Sequence, residues 1–123
     1  MGTSRLMRKE RGLTRPKDFA AVRKHGRSRS DSLLVLLTRR NSLEVSRIGF
    51  SVGKRTGNAV TRNRTKRRLR EAIREVGVQG GWDVVIIARQ GAASTDYHGL
   101  RRSLAQLSQR AGVREVPDTS KAK

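Results

Sequence analysis

Apolar residues fall into short clusters of two different periods along the chain, separated by polar and glycine-rich stretches. Leu33-Leu34-Val35-Leu36-Leu37-Thr38 is an unbroken run too short for a helix of its own, which predicts a strand covered on both faces. Val45 to Val52 alternates instead. Ile48, Phe50 and Val52 share one face and Arg47, Gly49 and Ser51 the other, which predicts a second strand with a wet or ligand-facing side. Trp82 to Arg89 is rich in β-branched residues and predicts a third, buried strand. Helical spacing appears three times. Pro16 to His25 forms one short unit that buries Phe19 and Val22, with Thr14 as N-cap, Asp18 in the first turn and Gly26 as the stop. Asn58 caps a longer helix that runs to Val76 before Gly77, Gly80 and Gly81, with Thr65, Leu69, Ala72, Ile73 and Val76 on one side. A last helix begins near Ser94 and repeats Tyr97, Leu100, Leu104, Leu107 and Ala111 before Gly112.

The resulting order, α-β-β-α-β-α, predicts an α+β protein: a small α/β sandwich with helices packed on a three-stranded sheet. Arg27 to Ser32 and Arg39 to Leu43 are polar links, and the first two strands are expected to pair as an antiparallel hairpin. The helix between the second and third strands allows a parallel crossover if those two are neighbours. At 123 residues there is room for one core. Residues 1–13 are expected to form a basic disordered arm, 14–112 a single α/β domain and 113–123 a flexible tail.

Charge changes the picture from a fold to a partner. With 29 Lys and Arg against 10 Asp and Glu, the net charge of +19 makes the chain self-repelling and directs it to a polyanion. A membrane surface is disfavoured because the basic helix lacks a broad apolar face, and the longest apolar runs fall far below the roughly 18 residues that span a bilayer. Residues 1–12 carry cations with no apolar stretch behind them, unlike a secretory signal, so a cytoplasmic location is expected. Without cysteine there are no disulfides or thiolate metal sites.

The cations are concentrated. Six of the nine residues from Arg62 to Arg70 are Lys or Arg and none is acidic. On the helical repeat Asn63, Arg67, Arg70 and Arg74 line the side opposite the apolar stripe, flanked by Arg64 and Arg68, and the planar guanidinium suits phosphate. Gly53-Lys54-Arg55-Thr56-Gly57 precedes this helix, where free amides favour anions, but lacks the order and spacing of a nucleotide-binding Walker loop. No small-molecule substrate is implied. A self-sufficient ribonuclease would need paired general acid and base groups or clustered carboxylates. His25 and His98 fall on different helices, and Glu71 and Glu75 sit among Arg67, Arg68 and Arg74, where intrahelical pairing is expected. A structural RNA-binding protein of the ribosomal type is the other reading that composition allows. A helix-turn-helix reader is disfavoured because strands flank the basic helix.

The order of residues from Arg47 to Glu71, including Arg62-Asn63-Arg64, closely resembles the signature of the bacterial ribonuclease P protein component. A looser match takes in Arg15 to Phe19, His25-Gly26 and Trp82 to Arg89, so the resemblance runs from about Leu13 to Ala111. It implies a left-handed crossover between the second and third strands, a hand that general rules would not choose. It implies that a separate RNA subunit with bound Mg²⁺ hydrolyses precursor tRNA to give the mature 5′ end, the protein holding no cofactor of its own. Arg62, Asn63, Arg64, Lys66, Arg67, Arg68 and Arg70 would face the RNA subunit. Lys17, Phe19, Arg23, Ser51, Lys54, Arg55 and Asn58 would meet the substrate's 5′ leader in a cleft between the first helix and the sheet. The chain departs from the family pattern there. Arg23 stands where a second aromatic is common, Leu36-Leu37 where the first strand often has an aromatic, and Gly53 where Ser is frequent, so leader binding is expected to lean on charge more than on stacking.

Overall fold

A computed structural model describes residues 10–115. Five strands form one sheet: β1 (Glu10–Gly12), β2 (Arg27–Ser30), β3 (Leu34–Arg40), β4 (Ser46–Ser51) and β5 (Trp82–Ala88), in the spatial order β1-β4-β5-β3-β2. Three helices, α1 (Pro16–His25), α2 (Ala59–Val76) and α3 (Tyr97–Ala111), cover it, and Lys54–Thr56 and Gln90–Ala93 form 3₁₀ turns. The most apolar strand is central. Val84, Val85 and Ile86 are fully buried, so β5 needs neighbours on both edges and layers on both faces.

That demand corrects the expected hairpin. β3 runs antiparallel to β5 and β4 parallel to it, so β5 lies between the two strands that chain order would have paired. The Asn41 to Val45 link arches over the start of β5 instead of closing a turn. Asn41 donates its amide to Val45 O at 3.1 Å, and Ser46 Oγ accepts from Trp82 N at 2.9 Å and donates to Gln79 O. Gly80 must lack a side chain because a Cβ there would collide with Glu44 O. The parallel β4-α2-β5 unit stands as expected, with Ile48 beside Val84 and Phe50 beside Ile86.

Two strands were unexpected. Arg27 to Ser30, read as a polar link, pairs antiparallel with the open edge of β3. Glu10 to Gly12, read as part of an arm, pairs parallel with β4, and Leu13 behind it is 2% exposed in the core. Neither segment has an apolar rhythm. Backbone pairing to an edge recruits them. At the other end Val113 is buried, Arg114 bridges to Val78, and Glu115 N donates to Gly77 O at 3.0 Å, so the start of the expected tail belongs to the fold. The rest of the expected arm and tail lies outside the described residues.

The sheet separates two unequal cores. On one face Leu34, Leu36, Ile48, Val84 and Ile86 meet Leu69, Ala72, Ile73 and Val76 of α2 and Leu100, Leu104 and Leu107 of α3. On the other, Leu37 and Val85 meet only Leu13 and Val22, with Phe19, Val35 and Ile87 partly covered. Helix ends follow local chemistry. Asn58 Oδ1 accepts from Thr61 N at 2.9 Å, the expected cap of α2. α3 begins at Tyr97, a little after the expected start near Ser94, and Asp96 caps it through Gly99 N at 2.8 Å, while Arg15, not Thr14, occupies the N-cap of α1 without a side-chain bond. Gly26 ends α1 where a Cβ would strike Val22 O and Thr38 O.

Candidate RNA-binding surface

α2 presents the partition its sequence dictates. Thr65, Leu69, Ala72, Ile73 and Val76 are buried, while Asn63, Arg64, Arg67, Arg70 and Arg74 are exposed. Arg62, Lys66 and Arg68 are half-buried at its flanks. Arg68 Nη1 donates to Thr95 O at 3.4 Å, tying the helix to the segment before α3. Arg62 Nε is buried without a protein partner among the described residues. Glu75 pairs between helices and not within one: it accepts from Tyr97 Oη at 2.8 Å and lies 3.4 Å from Arg101 Nε. Burial, then the hydrogen bond and charge of Glu75, push the Tyr97 phenol up to about 12. The charged face therefore rides on a helix clamped to α3.

A hollow of about 300 Å³ opens at the edge of β4, lined by Leu13, Thr14, Phe19, Ile48, Gly49, Phe50, Lys66 and Arg70. β1 covers β4 only as far as Ile48, which leaves Gly49 and Phe50 at an open edge. Phe19 enters from the α1 side and seats over Gly49, where a Cβ would stand 2.6 Å from Phe19 Cζ and 2.7 Å from Leu13 O. Phe50 enters from the α2 side, and the Arg70 guanidinium lies over its ring, 5.5 Å from the centroid. Residues expected to serve two different partners thus meet: Phe19 with Lys66 and Arg70. Phe50, read from its alternation as a core position, is the aromatic that sequence reasoning missed. Its alternation with Ile48 and Val52 was the only signal, and that signal cannot show that the neighbouring strand ends early.

The remaining expected leader residues lie outside this lining. Lys17 and Arg23 are exposed on α1, Lys54 and Arg55 are exposed in the 3₁₀ turn, Ser51 is half-buried at the end of β4, and Asn58 is occupied in capping α2. α1 is held over the sheet by a polar clamp. Arg47 donates from Nε and Nη2 to the two oxygens of Asp83 at 2.8 and 2.6 Å, and its Nη1 lies 3.4 Å from Asp18 Oδ2 on α1. Burial pushes the Asp83 carboxyl up, but hydrogen bonds from Arg47 and Asn41 and the guanidinium charge outweigh it and hold the group below the ordinary range.

His25 and His98 are exposed, one at the end of α1 and the other in the first turn of α3. Among the described residues no three His, Asp or Glu side chains gather as a metal site, and no helix is long and apolar enough to cross a membrane.

A family model described as Ribonuclease P matches residues 7–112. The ribonuclease P protein component of Natranaerobius thermophilus is 41% identical over 95 residues, 76% of this chain and 83% of that protein. That of Roseiflexus sp. strain RS-1 is 40% identical over 119 residues, 94% of this chain and 98% of that protein. The fold is similar to the RNase P protein of Staphylococcus aureus, with a TM-score of 0.77 and 31% identity over 84% of this chain and 96% of that one. The family match takes in the basic helix and nearly the whole described length, and the fold is shared as well: the chain belongs to the ribonuclease P protein family.

Proposed function

We propose that this protein docks the RNA subunit of ribonuclease P through the exposed face of α2 and guides the 5′ leader of precursor tRNA along the open edge of β4. Family membership makes it the protein subunit of the enzyme that matures tRNA 5′ ends. Hydrolysis belongs to the RNA subunit with its Mg²⁺, and the protein supplies charge and placement. One observation carries this reading: Phe19 and Phe50 converge with Lys66 and Arg70 in one hollow that adjoins the cationic face of α2. Aromatic faces stack on a base of any sequence, a contact worth roughly 1–3 kcal/mol, while the cations track the backbone beside it. The exposed face of α2 lowers repulsion between RNA segments. Lys17 and Arg23, outside the hollow, extend the leader path by charge alone.

Reconstitution tests it. The purified protein alone leaves precursor tRNA uncut, and adding ribonuclease P RNA at low Mg²⁺ restores cleavage at the 5′ end. Cleavage by the protein without RNA would overturn the assignment of chemistry to the RNA. With about six phosphates neutralised, log K for the RNA subunit against log salt slopes by roughly −4 to −5. A slope near −1 removes α2 as the main contact.

A further inference from the structure

Arginines outside α2 also converge. Arg27 and Arg29 of β2 lie opposite Thr38 and Leu36, which places them on the sheet face that carries α3. Just beyond, the Asp31 carboxylate accepts from Leu33 N and Leu34 N at 2.8 and 2.9 Å and from Ser103 Oγ of α3 at 2.5 Å. Three more cations gather around it. Arg89 Nη1 donates to Asp31 O at 3.2 Å, Arg102 shares a hollow of about 210 Å³ with Asp31 and Ser103, and the charge of Arg110 reaches the Asp31 carboxylate.

One carboxylate cannot neutralise this group, because its single negative charge faces five arginines: Arg27, Arg29, Arg89, Arg102 and Arg110. Asp96, next in sequence to Thr95 of the hollow, is committed to capping α3. Arg27, Arg89, Arg102 and Arg110 are exposed and Arg29 is half-buried. The region is also continuous with the basic helix. Arg68 of α2 donates to Thr95 O, and Thr95 lines the same hollow as Arg102. By contrast, the leader hollow lies at β4, toward the opposite edge of the sheet from β2.

We infer that the backbone of the RNA subunit continues from α2 across Thr95 to the β2 edge, where Arg29, Arg102 and Arg110 take a second set of its phosphates. This rests on the reading of α2 as the docking helix. The occupant follows from charge and continuity: guanidinium forks match phosphate oxygens, and the track leads away from the leader and along the helix that meets the RNA.

The test titrates full-length protein with ribonuclease P RNA across a salt series. The triple variant Arg29→Gln, Arg102→Gln, Arg110→Gln flattens the slope of log K against log salt by about 2, at roughly 0.7–0.9 per lost phosphate contact. The matching triple lysine variant keeps the slope, and preference for precursor over mature tRNA is unchanged in both. An unchanged slope in the glutamine variant, alongside a flattening of about 1 in Arg67→Gln, overturns the inference and leaves α2 docking intact. Flattening in the lysine variant equal to that in the glutamine variant also overturns it, since the effect then does not follow charge. Loss of precursor preference with RNA affinity unchanged assigns the edge to substrate and overturns it too. If Arg67→Gln and the glutamine triple both leave the slope untouched, the docking reading of α2 falls with it.

Discussion

The two faces of the sheet hold their helices by different means. α2 and α3 sit on a continuous apolar core and are clamped together through Tyr97, Glu75 and Arg101, whereas α1 is held by its Val22 against Leu13, Leu37 and Val85, one aromatic over a glycine and the Asp18–Arg47–Asp83 clamp. The difference matches what the proposed function asks of each face. A helix that crowds like charges along one side is destabilised by each such neighbour pair, so it needs deep apolar anchorage to keep its phosphate contacts in register. A helix that borders a cleft for variable single strands needs a defined position and less burial.

Breaking the large core has the largest effect. Leu69→Ala, at a fully buried position of α2, is expected to cost about 4 kcal/mol in urea unfolding and to weaken RNA-subunit binding in proportion. A cost below that of any change on the α1 face would undo the contrast. Next comes the polar clamp. Asp83→Ala leaves Arg47 without its main partner and is expected to cost about 3 kcal/mol. Because the folded state holds this carboxyl below its ordinary value of about 4, its contribution is complete at neutral pH and is lost as pH falls through the depressed value. The stability gap between wild type and variant therefore narrows in acid. A gap independent of pH would show that the carboxylate charge is not what Arg47 uses.

Gly49→Val sharpens the comparison at the cleft itself. The added side chain meets Phe19 and the Leu13 backbone, with an expected cost of about 2 kcal/mol and a selective loss of precursor over mature tRNA binding. Equal loss of RNA-subunit affinity would mean that α1 and α2 are not independently anchored. The smallest effect belongs to Asp18→Asn, less than about 1 kcal/mol for a partly exposed pair. Its readout is leader affinity, and no change there would remove Asp18 from the positioning of α1.

Much of this was legible in the residues. The buried side of α2 follows from the sequence down to Thr65, because a helical repeat of apolar residues admits one inward face. The cap at Asn58, the limits of α2 and the buried third strand were legible for the same local reasons. The central place of β5 was not. Pairing between distant strands depends on which edge each apolar surface must cover, and chain order points to the nearer partner.

By itself the sequence pointed to a polyanion partner, through a charge that no internal acid can match, and determined the family, through the order from Arg47 to Glu71. It also set the faces of the helices, since periodicity is a local property of the backbone. Only the tertiary structure decided that Arg-Ser-Arg-Ser is a strand, that β1 stops short beside Gly49, and that Phe19 and Phe50 face one hollow with Lys66 and Arg70. These depend on where one strand ends against another. Edges and their gaps exist only once distant segments have been brought together.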